Sequence, residues 1–549
     1  MMNALWKASA VAGISLLLAL LSCGGGGGAP TIVVDSSADT DSRDGLVTLR
    51  EAISLATGEL GVADLDSEEA DNVSGEPGAD SSDTITFDPS LFPAADGGTI
   101  ALDESLPPLS TGADIIDGFG AGVIIDGVDI SLECITISSN DNALKGLQIK
   151  NCLVGVMIQP GAQGNVIGGP AEGEGNVISG NDEGIIIGGA GADNNVVKGN
   201  LLGVDASGTQ ALNNRNGVHI HPEAQGNLIG GTEPGDRNII SGNTGVGITI
   251  RGSANTVQGN YIGTDINGTA AIPNGMEGIW IAPGAKDNVI GGSSAEERNV
   301  ISGNELFGLN ISGNGATGNI VKGNYVGVDA TGNTALRNRH GLVISDGPQN
   351  NVIGGSAPGE GNVIAANGTG LLIRREGTSG NIIIGNYIGT DASGSEPMGN
   401  AVGIWLLQEA YDNTIGGTGP GEGNVITANN VSGVHVDGSG TVGNTIRGNS
   451  IHSNGQQGIL TTEGGNRELE PPTITDASPV RGSACPNCTV DIYSDSGSEG
   501  EVYEGSVVAG ADGSFTFEGD VSGPNITATA TDGDGNTSAF SWPLIAGAQ

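Results

Sequence analysis

Short runs of hydrophobic residues, each bounded by Gly or Asn, recur along most of the chain. Residues 184–187, 217–220 and 247–250 are examples. Such runs are typical of short β-strands, and Gly and Asn tolerate the left-handed backbone that tight bends require. Among these recurring runs, no window shows the 3.6-residue hydrophobic period of a helix, which excludes helical repeats. The pattern therefore predicts short strands joined by tight bends.

The sequence Asn-x-Ile-Gly-Gly occurs five times at a nearly constant spacing. The copies lie 62, 61, 63 and 62 residues apart and begin at Asn165, Asn227, Asn288, Asn351 and Asn413. Hydrophobic runs come about twice per module, so one coil has roughly 31 residues. A coil cannot bury its own apolar face, but stacked coils share a core. We predict an all-β parallel β-helix of about ten coils in these five modules, roughly 50 Å long at the β spacing, preceded by less regular N-terminal coils.

Two more columns of Asn recur in step with this motif. They are Asn176, Asn238, Asn299, Asn362 and Asn424, and Asn200, Asn260, Asn324, Asn386 and Asn449. Amides stacked from coil to coil can satisfy the backbone groups of bends, so we predict a structural ladder. The Asp-x-x-Gly segments at Asp205, Asp265, Asp329 and Asp391 predict turns capped by Asp, with calcium binding as the alternative.

The N-terminus has the features of an export signal. Lys7 is followed by an uncharged stretch that is too short to span a bilayer, so we assign residues 1–22 to a signal peptide. The sequence Leu20-Leu21-Ser22-Cys23 resembles a bacterial lipobox, which implies lipidation of Cys23; an ordinary cleaved signal is the alternative. Residues 23–30 form a Gly-rich tether. We expect an exported protein, lipid-anchored at the cell surface or outer membrane and held by lipid alone.

Residues 31–100 are expected to form an N-terminal cap with an acidic loop, and residues 101–465 the β-helix. Residues 48–56 predict a short amphipathic helix that can cover the open end of a β-helix, and residues 64–83 predict a loop. The segment Val47-Thr48-Leu49-Arg50-Glu51-Ala52-Ile53 resembles the Cys-Ser/Thr-Leu-Arg-Glu-Ala-Ile signature of a family of bacterial surface proteins, with Val in place of Cys. The resemblance implies a right-handed, pectate-lyase-like β-helix, a fold that hosts lyases, hydrolases, epimerases and adhesins.

Residues 466–549 have a different pattern. Alternating runs at 489–493, 514–517 and 526–530 predict a small β-sandwich, similar to the immunoglobulin-like modules that end many such proteins.

Four cysteines lie beyond Cys23. For Cys485 and Cys488 a local disulfide or two free thiols is favoured over a redox or zinc pair, because no second pair of ligands accompanies them. Pairing of Cys134 with Cys152 is left open. Calcium is the only cofactor that the sequence suggests: Asp532, Asp534 and Asn536 place oxygens at alternate positions, although a plain turn explains them as well.

The net charge of the chain restricts the classes of ligand that it can bind. The chain has 63 acidic and 19 basic residues, a formal net charge of −44. Nucleic acid is excluded because phosphates need Lys and Arg. A strongly anionic polymer would need bridging cations.

Candidate binding residues lie at outward strand positions. In each Gly-hydrophobic-x-hydrophobic strand, the alternation of side chains directs the residue x outward when the hydrophobic residues point inward. One set of coils then presents His219, Trp280, Val343 and Trp405, and the other presents Ile186, Thr249, Asn310, Leu372 and His435. Trp280 and Trp405 are four coils apart, roughly 19 Å, so both rings could stack on one extended glycan. Arg251 and Arg374 lie just beyond these strands.

Catalytic pairs are not evident from the sequence. Glycoside hydrolysis needs two carboxyls roughly 5–9 Å apart, and no paired Asp or Glu breaks the repeat on one strand face. We therefore expect a lipid-anchored β-helix that binds a polysaccharide or a neighbouring cell surface and is not an enzyme. A polysaccharide lyase or glycoside hydrolase is the alternative.

Overall fold

The computed structural model describes residues 29–128 and 131–545. Three long sheets run along the molecule and contain fifteen, thirteen and twelve strands. Within each coil the chain visits them in that order, as in Ala143–Lys145, Leu147–Lys150 and Val154–Ile158. Pairing within the sheets is parallel except at Val73–Ser74, which lies antiparallel at one edge. The predicted right-handed parallel β-helix is confirmed.

The strands of each sheet follow one another along the rod. The fifteen-strand sheet contains Thr31–Val34, Val73–Ser74, Thr84–Phe87, Ile115–Asp117, Ala143–Lys145, Val166–Ile167, Val196–Val197, Leu228–Gly230, Thr256–Gln258, Val289–Gly291, Ile320–Lys322, Val352–Gly354, Ile382–Ile384, Thr414–Gly416 and Thr445–Arg447. The thirteen-strand sheet contains Gly98–Ala101, Val123–Asp126, Leu147–Lys150, Val177–Ile178, Leu201–Leu202, Ile239–Ile240, Tyr261–Ile262, Val300–Ile301, Tyr325–Val326, Val363–Ile364, Tyr387–Ile388, Val425–Thr427 and Ser450–His452. The twelve-strand sheet contains Glu133–Ile137, Val154–Ile158, Glu183–Ile187, Asn216–Ile220, Ile248–Ile250, Ile279–Ile281, Phe307–Ser312, His340–Ser345, Thr369–Arg374, Val402–Leu407, Ser432–Asp437 and Gln457–Thr462.

One continuous hydrophobic core fills the rod. It extends from Ile32 to Ile459 and takes one or two inward side chains from each strand. Ile279 and Ile281, for example, are fully buried on either side of the outward Trp280. Stacking therefore buries the apolar face that a single coil would leave exposed.

Buried Asn side chains form ladders parallel to the core, as predicted. The Nδ2 of Asn165 donates to Oδ1 of Asn195 at 2.9 Å, and the Nδ2 of Asn195 donates to Oδ1 of Asn227 at 3.0 Å. The backbone N–H of Asn165 also donates to Oδ1 of Asn195. The other two predicted columns alternate within one second ladder, in which Asn176 Nδ2 donates to Asn200 Oδ1 and Asn200 Nδ2 donates to Asn238 Oδ1. A third ladder, which the sequence analysis missed, contains Asn181, Asn214, Asn243, Asn274, Asn304, Asn338, Asn367, Asn400, Asn429 and Asn454.

The 62-residue module arises because coils of two kinds alternate. Successive steps of the Asn176 ladder span 24, 38, 22, 39 and 25 residues. Every second coil carries an Asp-x-x-Gly turn, in which Oδ1 of Asp205 accepts hydrogen bonds from the N–H groups of Thr209 and Gln210. Turns of consecutive modules bond to each other, as Ile266 N–H donates to the Gly208 carbonyl at 3.0 Å. This bonding pattern supports the turn interpretation.

The N-terminal cap helix spans Leu49–Ala56, with Thr48 as its N-cap. Its buried apolar residues join the core of the rod. Arg50 is held by Asp39 through its Nε and Nη2 at 2.9 and 2.8 Å, and its Nη1 donates to the Ser105 carbonyl. The Arg of the signature segment thus connects the cap helix to chain segments before and after it.

The parallel sheets begin before the expected boundary at residue 101. Thr31–Val34 already pairs with Thr84–Phe87, so the cap region supplies the first strands of the rod. The stretch 64–83 also departs from a plain loop, because it contains the short helix Ser67–Ala70 and the strand Val73–Ser74. The remaining short helical segments are Val62–Asp64, Pro234–Asp236 and Gly465–Glu468. Among the helices of the described residues, none is long and apolar enough to cross a membrane.

The C-terminal region is a β-sandwich. One antiparallel sheet contains Thr473–Ala477, Val480–Ser483 and Ser514–Phe517, and the other contains Thr489–Asp495, Val502–Val508, Asn525–Thr531 and Leu544–Ile545. Val480, Ile492 and Ile526 belong to the core shared by the two sheets. Its immunoglobulin-like character stays a prediction.

The sandwich covers the C-terminal end of the rod through polar contacts. Arg447 binds the buried Asp491 with two hydrogen bonds, Nε to Oδ2 at 2.7 Å and Nη2 to Oδ1 at 2.6 Å. Glu499 Oε2 accepts from the backbone N–H and the Nδ2 of Asn454, the last Asn of its ladder. The sandwich therefore supplies partners that a further coil would otherwise provide.

The 532–536 loop, proposed as a calcium site, forms part of this contact. Asn536 is fully buried, and its Oδ1 accepts a hydrogen bond from Gly443 N–H at 2.7 Å. Asp532 accepts the N–H groups of Asp534 and Asn536, and Asp534 pairs with Arg467. These oxygens accept hydrogen bonds from protein donors, so the loop takes part in the contact with the rod; calcium binding there stays a prediction.

Disulfides join Cys134 to Cys152 and Cys485 to Cys488. The first resolves the pairing that the sequence leaves open, and the second is the local bridge, one of the two alternatives favoured for Cys485 and Cys488. Cys23 and the signal segment lie outside the described residues.

Candidate functional site

The outer face of the twelve-strand sheet carries one continuous row of side chains. The strand register pairs His219 with Thr249, Thr249 with Trp280, and Trp280 with Asn310. The row comprises Met157, Ile186, His219, Thr249, Trp280, Asn310, Val343, Leu372, Trp405, His435 and Leu460. The two sets of coils distinguished in the sequence thus interleave in a single row.

The row is less exposed than its outward direction suggests. Trp280 and Trp405 are half-buried, and Asn310, Val343 and Leu372 between them are only 7%, 0% and 6% exposed. Side chains on neighbouring strands cover one another because they stand one β spacing apart. The outer face of the sheet is therefore closely packed, and the Trp280 and Trp405 rings lie at two places along it.

A cavity of about 530 Å³ lies around the first of these rings. Its lining includes Glu183, His219, Arg251, Glu277, Trp280 and Asn310. Ligand sites are generally concave, with a few polar groups directed inward. The register brings these residues together from five consecutive strands.

Two contacts position the Trp280 ring, one at its edge and one over its face. Its Nε1 donates to Ser312 Oγ at 2.8 Å. The guanidinium of Arg251 lies over the ring, 5.6 Å from the ring centroid, and is exposed at the rim of the cavity. One face of the indole ring and the Arg251 cation thus lie together in the cavity.

Two buried carboxylates lie in this cavity, which corrects the prediction that no such groups break the repeat. Glu183 and Glu277 precede Gly184 and Gly278 at equivalent positions of their coils. Their strands are three spacings apart, about 14 Å, which is wider than the roughly 5–9 Å of glycosidase pairs. The Glu residues before these repeated Gly positions were the sequence signal for this pair.

Burial controls the ionisation of these groups. It raises the pKa values of Glu183 and Glu277. It lowers the pKa of His219 to about 4, with a further contribution from neighbouring His221. His219 is therefore neutral near pH 7. Asn216 Nδ2 and Arg215 Nη2 donate to Oε1 of Glu183, and Asn310 Nδ2 donates to Oε1 of Glu277.

The second aromatic position in the row, at Trp405, is a stacked pair of rings. The Trp405 and His435 rings are 5.5 Å apart between centroids and 2° from parallel, and a His435 ring nitrogen, Nε2, lies 2.8 Å from Thr462 Oγ1. Arg374 lies on the strand before Trp405, and its Nε is buried without a partner among residues 29–128 and 131–545. The predicted residues thus divide between two places, with His219 and Arg251 near Trp280, and His435 and Arg374 near Trp405.

No metal centre is evident in the part of the chain that the structure describes, where no three His, Cys, Asp or Glu side chains are grouped to hold an ion.

Comparisons with known proteins yield similar folds only. No protein-family model matches the sequence, and no curated protein does. The Dettilon tailspike protein is similar in structure, with 16% identity, a TM-score of 0.42, and 93% of this chain and 79% of that chain covered. The A-module of the Azotobacter vinelandii mannuronan C-5 epimerase AlgE4 has 16% identity and a TM-score of 0.28, over 69% of this chain and 85% of that one. PfbA, a surface adhesin of Streptococcus pneumoniae, has 11% identity and a TM-score of 0.29, over 84% and 90%. Identities and TM-scores this low assign no function to the chain.

Proposed function

We propose that the outer face of the twelve-strand sheet binds an extended glycan. The observation that carries this proposal is the placement of Trp280 and Trp405 in one row, four strand spacings or about 19 Å apart. Aromatic rings provide apolar surface for the C–H faces of sugars, while nearby polar groups can bond hydroxyls. A straight rod keeps both rings in line with one chain-like ligand.

The cellular setting is proposed from the sequence. A lipid on Cys23 and a Gly-rich tether would hold the rod at the cell envelope, with its glycan-binding face directed to a polysaccharide or a neighbouring cell surface. The net charge of −44 argues against nucleic acid as the ligand. Adhesion without catalysis is the role that we favour.

A polysaccharide lyase or glycoside hydrolase is the second candidate. The buried Glu183 and Glu277, with their raised pKa values, favour it because such groups can act as general acids. The spacing of their strands, about 14 Å, opposes a two-carboxylate hydrolysis of one bond.

The test combines binding and turnover. Purified protein and the variants Trp280→Ala, Trp405→Ala and the double variant are applied to a glycan array, and bound and soluble glycans are assayed for reducing ends and unsaturated products. We expect each single variant to weaken retention and the double variant to abolish it. Tyr387→Ala is the control, since Tyr387 is an exposed aromatic residue on the thirteen-strand sheet and not on the sheet that carries the row.

Two outcomes would contradict the proposal. Retention that survives both Trp substitutions would show that another surface binds. Turnover that is lost on replacing Glu183, Glu277, Arg251 or Arg374 would instead establish the enzymatic candidate.

A further inference from the structure

The cavity beside Trp280 contains buried polar atoms that have no partner. Within residues 29–128 and 131–545, these are Glu183 Oε2, Glu277 Oε2, Asn310 Oδ1 and His219 Nε2. Glu183, Glu277 and Asn310 are each more than nine-tenths buried. Buried polar atoms in proteins are normally hydrogen-bonded, and leaving one bare costs about 1–3 kcal/mol. Several such atoms around one cavity indicate a place that a polar ligand completes.

Three of these four atoms are hydrogen-bond acceptors. A carboxylate oxygen and an amide oxygen accept but do not donate. The orientation of the Asn310 amide follows from its Nδ2, which donates to Glu277 Oε1 at 3.3 Å, so Oδ1 is the free end. A ligand that satisfies the cavity must therefore supply donors.

Two of the donors near these acceptors are already engaged. Arg215 binds Asp182 through Nε at 2.6 Å and Glu183 through Nη2 at 2.5 Å. Trp280 Nε1 is bonded to Ser312. Arg251 stays at the exposed rim, over the indole ring. The interior of the cavity thus offers carboxylates and an amide oxygen, which would repel an anionic group.

We infer that the sugar unit bound in this cavity is neutral, with hydroxyl groups that donate to Glu183, Glu277 and Asn310 while one ring face packs on Trp280. This inference rests on the proposed glycan-binding function and names the ligand class of the same face. It excludes a uronate or another acidic sugar at this position, because a further carboxylate would meet Glu183 and Glu277, while Arg251, an exposed cation of the lining, lies over the Trp280 ring.

The experiment measures affinity by titration calorimetry on the full chain. The probes are size-matched oligosaccharides of a neutral glucan or mannan and of a polyuronate, each at low and at high salt. The wild type is expected to bind a neutral oligosaccharide at least tenfold more tightly than the uronate, with little dependence on salt. Glu277→Gln, which replaces an acceptor oxygen by a donor, should weaken that binding about tenfold.

The sign of the Glu277→Gln effect is decisive, because removing a negative charge would strengthen the binding of an anionic sugar. Glu396→Gln is the control, since Glu396 is exposed on an Asp-x-x-Gly turn. Tighter uronate binding by the wild type, or a gain in affinity for Glu277→Gln, would overturn the inference.

The remaining outcomes separate this inference from the proposed function. If Trp280→Ala abolishes binding and Glu277→Gln does not change it, the binding face stands and the ligand assignment is wrong. If neither class of oligosaccharide binds, the proposed function fails and this inference fails with it. Circular dichroism checks that each variant is folded, and Glu183→Gln provides a second test at the other carboxylate.

Discussion

An amide in the middle of a ladder should contribute more to stability than its single side chain suggests. Asn288 is fully buried and bonds three other residues. Its Oδ1 accepts from the N–H of Asn255 at 2.9 Å, and its Nδ2 donates to the Gly252 carbonyl at 3.1 Å and to Asn319 Oδ1 at 2.9 Å. Asn288→Ala removes all of these side-chain bonds from the buried interior of the rod.

The magnitude follows from the groups left without a partner. Asn255 N–H and the Gly252 carbonyl are backbone groups that lose the amide they bond, and each bare buried group costs about 1–3 kcal/mol. Asn255 Nδ2 keeps its bond to Ala224 and adds little. We therefore expect Asn288→Ala to lower the free energy of unfolding by about 2–6 kcal/mol.

Hydrogen exchange is the appropriate assay, because coils interact mainly with their neighbours and unfolding of the rod need not be two-state. Amide protection around residues 252–258 should fall at least tenfold, corresponding to about 1.4 kcal/mol or more. Guanidinium denaturation followed by circular dichroism gives the global change. Asn333→Ala is the control, since Asn333 is exposed and bonds Asp329 through its backbone N–H.

Equal, small effects of the two substitutions would refute the reasoning, because the ladder would then contribute nothing beyond ordinary side-chain contacts. Asn288→Asp offers a second measurement on the same position. It keeps the acceptor for Asn255 but loses the donor for Gly252 and Asn319 and buries a charge. It should therefore be at least as destabilising as the Ala variant.

Two further predictions concern the ends of the rod. Burial raises the pKa of Asp114 from 3.8 to about 6, so the folded protein holds a proton that the unfolded chain releases, and stability falls as pH rises through this window. Asp114→Asn should add up to about 3 kcal/mol at pH 7 and nothing below pH 4, as measured by denaturant titration against pH; a gain that does not change with pH would contradict this. Arg447→Met leaves the Asp491 carboxylate buried and unpaired, which should cost about 3–5 kcal/mol of sandwich docking and speed proteolysis between residues 466 and 473. Unchanged proteolysis relative to Arg481→Met, at an exposed site on the sandwich, would show that this ion pair does not hold the domain.

Local and periodic features of this fold were readable in the sequence. The strands of the Asn-x-Ile-Gly-Gly repeat and the cap helix beginning after Thr48 appear where expected. They are predictable because a bend, a helix cap or a strand run is set by residues close together in the chain. The outward position of Trp280 follows from the same alternation.

The chemistry of the cavity was decided by tertiary structure. Glu183 and Glu277 are 94 residues apart, and only the strand register places them on one cavity with Asn310. The 532–536 loop shows the same limit, since only the tertiary structure shows that Asn536 Oδ1 accepts from Gly443 N–H and connects the loop to the rod. The repeating coils could be predicted from the amino-acid sequence by itself, because each coil is specified by local bends and hydrophobic alternation. The stacking of coils determined which polar atoms are buried without partners, because burial depends on neighbours that the chain reaches only after a full turn.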